Sequence, residues 1–161
     1  KLREKGYTGK IIMANPEPEI IKEKNDPRVT NIKPAFEDHR GKIIDVVDGK
    51  EFVHAGIVTN KKGALRGAHY HKQTEQINYI LKGKLKYQTK DLSKKGSRVK
   101  EVILEAGDLM EDPPLEWHAS EALEDDTRLL FFTKKPRQEG GYEDDVFRVP
   151  REEIENFELP D

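Results

Sequence analysis

Histidine is the residue type in this chain whose spacing points most directly to chemistry. The chain has 161 residues, five histidines and no cysteine. His69 and His71 stand two positions apart, so on a β-strand both imidazoles would project from one face, about 7 Å apart along the backbone. Two such imidazoles can share a metal ion if neighbouring strands add ligands, and His118 and either Glu75 or Gln76 are the candidates. Imidazole with an oxygen ligand suits Zn, Fe, Mn or Ni and leaves a position open for water or substrate.

Composition excludes several other kinds of site. The absence of cysteine removes disulfides, Cys-ligated zinc, iron–sulfur clusters and thiol nucleophiles. The formal net charge of −2 gives no overall attraction to nucleic acid or to an anionic membrane. No apolar run approaches the ~20 residues of a membrane span. We therefore expect a cytoplasmic protein that binds neither nucleic acid nor membrane and needs no organic cofactor.

The elements that must position these histidines are short apolar runs separated by turn residues, beginning at Phe36. A spacing of roughly ten residues per strand is typical of an antiparallel sandwich or barrel. The pattern predicts an N-terminal arm at 1–35, a barrel at 36–134 and a C-terminal tail at 135–161. Predicted strands are 42–47, 52–59, 64–71, 76–81, 85–89, 98–104, 108–111, 116–122 and 127–132, with an edge strand at 11–14, a helical turn at 20–24 and a short helix at 151–157.

The segment from His69 to Gly83 resembles the first sequence signature of the cupin superfamily. That signature is H-x-H, four residues, Glu, six residues and Gly, and here Gln76 occupies the position of the glutamate. The adjacent Glu75 shares strand parity with apolar residues, so alternation favours Glu75 for the apolar face. The interval to Gly83 favours Gln76 as the ligand, and both alternatives stay open.

A second cupin signature is matched in part further along the chain. Gly107, Pro113 and His118 have its spacing, whereas Leu115 replaces a glycine and Ala122 an asparagine. Two half-signatures in the right order are more specific than either alone. The resemblance implies an all-β cupin jelly-roll barrel. The metal ligands that it implies are His69, His71, Gln76 and His118.

Residues 36–71 have a narrower resemblance to the dTDP-4-keto-6-deoxyglucose 3,5-epimerases, which carry F-x-D-x-R-G and N-x-x-G-x-L-R-G-x-H-Y stretches. The continuation to Gln76 is similar to the sugar 3,4-ketoisomerases and to metal-binding cupin domains of some capsular-sugar reductases. These resemblances imply an isomerase or epimerase acting on a nucleotide-linked 4-keto-6-deoxy sugar in the synthesis of surface polysaccharide.

Such a reaction removes a proton from a carbon next to a carbonyl, which requires a base and a positive group near the oxygen. A neutral imidazole is suited to the first task. The resemblance implies His69 as the base and Arg66 as a substrate contact. It also implies that Arg40 and Phe36 hold the nucleotide, in some members across a dimer interface, so a homodimer is expected. Further candidates are His71 and Tyr79 for catalysis, and Tyr70 and Trp117 for substrate binding.

A metal ion held by His69 and His71 would stop either side chain from acting as a free base. The ion would instead polarise a carbonyl or activate water. A second hypothesis is therefore a metal-dependent cupin, an oxygenase or lyase, acting on another small substrate. A third is a cupin that binds a small molecule without catalysis. Trp117 also has a plain structural interpretation, because a lone tryptophan is commonly part of the core.

Overall fold

The computed structural model describes residues 19–20, 26–138 and 140–161. Within these ranges the chain forms short strands and two single-turn 3-10 helices, at Glu143–Asp145 and Ile154–Asn156. The strands are β1 (Glu19–Ile20), β2 (Val29–Asn31), β3 (Phe36–Asp38), β4 (Gly41–Ile43), β5 (His54–Asn60), β6 (Leu65–Tyr70), β7 (Gln76–Lys82), β8 (Lys84–Asp91), β9 (Lys100–Glu105), β10 (Asp108–Asp112), β11 (Glu116–Ala122), β12 (Thr127–Thr133) and β13 (Phe147–Arg148). No helix in the described part of the chain is long and apolar enough to cross a membrane.

Two sheets make up the body of the protein. The six-stranded sheet has the order β1-β9-β8-β11-β6-β13, and the five-stranded sheet has the order β2-β10-β7-β12-β5. Neighbouring strands are antiparallel except for β1 and β9. Strands consecutive in sequence lie in different sheets at several points, for example β5 and β6, as in a double-sheet jelly roll. The predicted all-β jelly-roll fold is confirmed.

The inward-facing positions change from polar to apolar along the strands. On β7 they run from Gln76 and Asn78, which line a cavity, to Ile80, which is fully buried in the core. The same change occurs on β11 from His118 to Ala122. One end of the interior is thus a packed core and the other is a polar cavity. The core residues are Ile80, Leu85, Tyr87, Val102, Leu104, Met110, Ala122 and Leu129.

A second apolar cluster joins the C-terminal segment, residues 140–161, to the outer face of the six-stranded sheet. Trp117 is completely buried there, and its indole nitrogen donates a hydrogen bond of 2.9 Å to the carbonyl oxygen of Val149. The ring of Tyr70 stacks on that of Phe147 at 5.3 Å between centroids. The segment predicted as a tail therefore adds strand β13 and an apolar layer to the barrel.

The predicted strand positions can be compared with those observed. The strand ends from 52 onward agree to within two residues. Of the strand predicted at 42–47, only the first two residues are in a strand, β4 (Gly41–Ile43). The strand is short because β4 pairs solely with the three-residue β3. The predicted helix at 151–157 is reduced to the 3-10 turn at Ile154–Asn156. The predicted strand at 11–14 lies outside the described residues, as does most of the turn at 20–24, where Ile20 ends β1.

Candidate functional site

The polar end of the interior holds a cavity of about 420 Å³. Strands of both sheets line it, and the C-terminal segment adds part of the wall. A cavity of this size is within the range of small-molecule sites, and convergent polar groups in such a cavity are the usual mark of one.

The imidazoles of His69 and His118 line this cavity, and the buried imidazole of His71 packs against both. His69 lies on β6 and His118 on β11, directly opposite each other in the strand register, and His71 follows the end of β6. One ring nitrogen of each lies within 4.8 Å of those of the other two. The Nε2 atoms of His69 and His118 are 3.1 Å apart. The structure therefore brings the three histidines of the predicted ligand set together.

Backbone carbonyls determine which ring nitrogen of two histidines carries the hydrogen. Nδ1 of His71 is 2.7 Å from the carbonyl oxygen of Asp145, and Nδ1 of His118 is 3.2 Å from that of Glu116. Because a carbonyl only accepts, each Nδ1–H donates and each Nε2 keeps its lone pair. Nε2 of His71 is buried and has no hydrogen-bond partner among the described residues. This is the orientation that metal-binding histidines require.

Burial keeps the imidazoles neutral. Burial, with smaller contributions from the neighbouring His118 and His71, lowers the pKa of His69 to about 3. Burial also lowers the pKa of His118 to about 3, with a smaller contribution from His71. The pKa of His71 is lowered by burial as well, against an opposing effect of Asp145. At neutral pH the cluster therefore offers lone pairs rather than positive charges.

Gln76, not Glu75, faces the imidazoles. Gln76 lines the cavity, and its Oε1 atom is buried without a hydrogen-bond partner among the described residues. Glu75 precedes β7 and pairs with Lys134 at 2.7 Å and Lys50 at 3.7 Å. Glu75 does share strand parity with Ile77. The apolar cluster that contains Ile77 lies outside the cavity, however, so this parity does not bring Glu75 to the imidazoles. Gln76 therefore lines the same cavity as His69 and His118, and a ring nitrogen of His71 lies within 4.8 Å of those of the two histidines.

Two predicted site tyrosines do not reach the cavity. Tyr79 lies on the face of β7 opposite Gln76 and Asn78 and is buried in a small cluster with Ile77 and Leu109. Tyr70 follows His69 directly, so it projects from the other face of β6 into the outer apolar cluster. Both predictions are corrected for the same physical reason, because adjacent strand residues face opposite sides of a sheet.

Three predicted substrate contacts also lie elsewhere. Trp117 belongs to the outer cluster, as its structural interpretation proposed. Phe36 and Arg40 lie on the exposed β3–β4 hairpin and do not line the cavity. The Arg40 guanidinium is bound to Asp38 at 2.7 Å. A role for this hairpin in the site of a second protomer stays a prediction.

Arg66 lies at the cavity wall on β6. Its Nε atom donates to Oδ1 of Asn60 at 2.6 Å, and its Nη2 atom donates to the carbonyl oxygen of Thr59 at 3.1 Å. These bonds fix the plane of the guanidinium group. The structure therefore places this predicted substrate contact beside the cluster.

Sequence reasoning missed the contribution of residues after the barrel to the site. Arg137 and, from the C-terminal segment, Tyr142, Glu143 and Arg148 line the cavity, and the Tyr142 ring lies 4.8 Å from that of His71. Arg137 pairs with Glu143 at 2.9 Å, whereas Arg148 has no ion pair among the described residues. The available signal was the apolar residues after the polar loop, at 146, 147 and 149, which indicate that the segment packs against the barrel.

Residues 56–133, a little under half of the chain, match the family of cupin domains. The two-sheet jelly roll agrees with that match, and the matched range contains all four predicted metal ligands. No curated protein sequence is significantly similar to the chain.

Solved structures with the same fold include enzymes of sugar nucleotides. A 3,4-ketoisomerase from Helicobacter canadensis has a TM-score of 0.63 and 21% identity, over 75% of this chain and 89% of its own. A 3'-monoepimerase from Streptomyces bikiniensis, in complex with dTDP-quinovose, has a TM-score of 0.68 and 16% identity, over 78% and 70%. A dTDP-6-deoxy-D-glucose-3,5-epimerase from Legionella pneumophila, in complex with dTDP-4-keto-L-rhamnose, has a TM-score of 0.65 and 18% identity, over 79% and 74%. At these identities the likeness is one of fold.

Proposed function

We propose that the chain is an isomerase or epimerase of a nucleotide-linked keto sugar and that the cavity is its active site. The observation that carries the proposal is the meeting of a neutral imidazole, His69, with three arginines, Arg66, Arg137 and Arg148, around one cavity. Arginine suits the oxygens of a diphosphate because its planar fork can donate two hydrogen bonds at once. The dTDP-sugar complexes of structures with the same fold support this choice of substrate class.

In this reaction the His69 imidazole takes the proton from the carbon beside the sugar carbonyl. A pKa of about 3 makes His69 a weak base in the free protein, because its charged form is buried. Substrate binding changes that balance, since a diphosphate brings negative charge next to the ring and favours the imidazolium. The arginines then have two tasks, which are to hold the diphosphate and to stabilise the developing enolate oxygen.

Arg148 is the arginine best placed to bind the substrate. It lies opposite His69 in the β6–β13 register, and it has no competing ion pair among the described residues. Arg137 and Arg66, in contrast, are already engaged with Glu143 and with Asn60. We therefore assign Arg148 to the diphosphate and Arg66 to the sugar.

Proton exchange in heavy water tests the proposal. The protein is incubated in D₂O with thymidine-, uridine- and guanosine-diphosphate-linked 4-keto-6-deoxy sugars, and deuterium at the carbons flanking the carbonyl is followed by NMR. We expect exchange with at least one of them and a loss of at least about 100-fold in His69→Asn. His54→Asn is the matched control, because His54 does not line the cavity, and it should keep the wild-type rate. Nucleotide binding without any exchange would indicate a binding protein and contradict the proposal.

The three-imidazole cluster favours a second candidate, a metal-dependent cupin acting as an oxygenase or lyase on another small substrate. His69, His71, His118 and Gln76 would hold the ion. The 3.1 Å between Nε2 of His69 and Nε2 of His118 fits two ligands of one ion, since zinc–nitrogen bonds are about 2.0–2.1 Å long. A bound Zn, Fe, Mn or Ni would supply Lewis-acid polarisation or an activated water.

The same exchange assay separates the two candidates when metal content is measured alongside. Full exchange by protein stripped of metal supports His69 as a free base. Stoichiometric metal and no exchange with any keto sugar support the second candidate. Within the first proposal, we also assign the reaction to the cytoplasmic synthesis of surface polysaccharide and the enzyme to a homodimer.

A further inference from the structure

A chain of buried hydrogen bonds runs from the cavity wall into the protein. Nε2 of Gln76 donates to Oδ1 of Asn78 at 2.7 Å, and Nδ2 of Asn78 donates to Oδ2 of Asp112 at 2.7 Å. The Tyr87 hydroxyl donates to the same Oδ2 atom at 2.5 Å. Asp112 is fully buried and Asn78 is 2% exposed. Gln76, Asn78 and Asp112 thus link strands β7 and β10, and Tyr87 joins β8 to them.

The carboxylate at the inner end sets the direction of every bond in this chain. Burial raises the pKa of Asp112 to about 7, whereas the hydrogen bonds from Tyr87 and Asn78 oppose that rise and favour the carboxylate. Oδ2 of Asp112 accepts from both residues, so Asn78 presents its amino group to Asp112 and its oxygen to Gln76. Gln76 must then present its own amino group to Asn78, which leaves its Oε1 facing the cavity. That oxygen is buried and has no hydrogen-bond partner among the described residues. An oriented buried oxygen without a partner among the described residues is placed to accept from a water or to coordinate a cation.

We propose that Asp112, acting through Asn78, is a positioning residue that turns the amide oxygen of Gln76 toward the three imidazoles as the oxygen ligand of a divalent cation. The inference rests on the metal centre proposed above and not on the keto-sugar reaction. A free glutamine side chain can present either end of its amide, whereas glutamate presents oxygen in both orientations. A glutamate at position 76 would need no orientation. With glutamine there, the hydrogen-bond chain holds the amide so that its oxygen faces the imidazoles.

A neutral ligand also has a consequence for the charge of the centre. Three neutral imidazoles and one amide leave the full 2+ charge on the cation, whereas a glutamate would reduce it by one. Glutamate would also place a second carboxylate close to the buried Asp112. The arrangement therefore favours an anionic substrate oxygen at the open position of the ion.

The first test is the affinity of the purified protein for Co²⁺ and Zn²⁺, measured by competition with a chromophoric chelator. Asp112→Asn keeps the shape of the side chain but gains an amino group that can donate to Asn78. The amides of Asn78 and Gln76 can then both turn over, which would place the nitrogen of Gln76 where its oxygen was. We expect an affinity at least about 10-fold weaker, the size seen when residues behind metal ligands are changed. Asp108→Asn is the matched control, because Asp108 is also buried on β10 and bonded to an asparagine, Asn31, at 2.9 Å. It should keep the wild-type affinity.

A double-mutant cycle separates orientation of the amide from support of the fold. In Gln76→Glu the ligand needs no orientation, and adding Asp112→Asn lets Asn78 donate to the second carboxylate oxygen. The double variant should therefore bind Co²⁺ at least as tightly as Gln76→Glu alone. Wild-type protein without measurable affinity, unchanged affinity in Asp112→Asn, or an equal loss in the Gln76→Glu background would each overturn the inference. None of these outcomes depends on turnover of a keto sugar, so the two proposals fail independently.

Discussion

At the residue scale, the convergence of His69 and His118 depends on an irregularity just before His69. His118 pairs with His69, but the next residue, Ala119, pairs with Gly67, so Ala68 is an extra residue in β6. Gly67 and Ala68 both have left-handed backbones, with φ of 77° and 58°. Such a β-bulge increases the local twist of a strand and redirects its side chains, and bulges are common next to active sites.

Gly67→Ala is predicted to destabilise the protein and to disturb the cluster. An added Cβ would lie 2.7 Å from the carbonyl oxygen of His118, which is backbone and cannot turn aside. The left-handed conformation costs a non-glycine residue a further 1–2 kcal/mol, roughly. We expect the free energy of unfolding in denaturant titrations to fall by more than about 2 kcal/mol.

Gly63→Ala isolates the conformational part of this loss. Gly63 has a φ of 80°, and nothing lies within 4 Å of the Cβ that it would gain. Its loss should therefore be limited to about 1–2 kcal/mol. Equal losses in the two variants would show that the contact with His118 does not matter.

The positions of the candidate metal ligands could be predicted from the sequence more reliably than those of their neighbours. His69, His71 and Gln76 follow from fixed intervals in a motif. The structure clusters His69, His71 and His118, and it places Gln76 on the same cavity as His69 and His118. The tyrosines were chosen by residue type, although their strand parity already opposed the choice. Tyr79 lies three positions from Gln76, so on a regular strand it faces the other side of the sheet.

At the element scale, local patterns were sufficient for strands and insufficient for the C-terminal segment. Strands such as β11 were predicted to within two residues because alternation and turn residues are properties of adjacent positions. The place of residues 140–161 depends on contacts far away in sequence. Asp145 shows this, because its carboxylate accepts hydrogen bonds from the backbone amides of Lys72, Gln73 and Thr74. Nothing in the sequence near Asp145 predicts those partners.

Lys90→Met is predicted to release the end of the C-terminal segment. The Lys90 side chain is fully buried, and its Nζ atom donates to the carbonyl oxygens of Ile154, Glu155 and Phe157 at 3.0, 3.1 and 2.8 Å. Methionine fills a similar volume but leaves three acceptors without this donor. At about 1 kcal/mol for each bond, the loss of unfolding free energy should be about 3 kcal/mol.

Hydrogen exchange followed by mass spectrometry locates the effect of Lys90→Met. Faster exchange is expected in peptides from residues 150–161 before it appears in the barrel. Lys84→Met is the matched control on the same strand, because Lys84 is half exposed and its pair with Glu124 spans 3.7 Å. Its effect should stay below about 1 kcal/mol. Uniformly faster exchange in Lys90→Met would contradict a local role for this lysine.

At the scale of the whole molecule, a charged cluster ties one sheet to the other outside the main core. Arg28 immediately precedes β2 of the five-stranded sheet, and its Nη2 atom donates to the Thr89 hydroxyl of β8 in the six-stranded sheet at 3.1 Å. The same guanidinium pairs with Glu116 on β11. Asp26 fixes the arginine by accepting from its Nε at 2.7 Å and from its backbone amide at 3.0 Å. Asp26 therefore holds a residue that bridges the two sheets.

This bridge predicts how the stability of the protein depends on pH. Burial alone would raise the pKa of Asp26, but the hydrogen bonds from Arg28 outweigh it and hold the pKa below its usual value. The carboxylate therefore stabilises the fold fully above its unfolded pKa of about 3.9, and this stability is lost as the pH falls through the lower folded pKa. Asp26→Asn should lower the unfolding free energy at pH 7 by about 1–3 kcal/mol.

The difference in stability between wild type and Asp26→Asn should shrink as the pH falls below about 4, because wild type then loses the carboxylate contribution that the variant lacks. Denaturant unfolding at pH 7, 5, 4 and 3, followed by the fluorescence of the single buried tryptophan, Trp117, measures it. Asp48→Asn is the control at an exposed turn position, and it should stay within about 0.5 kcal/mol of wild type. A difference for Asp26→Asn that is constant from pH 7 to pH 3 would mean that the charge of Asp26 does not hold the sheets together.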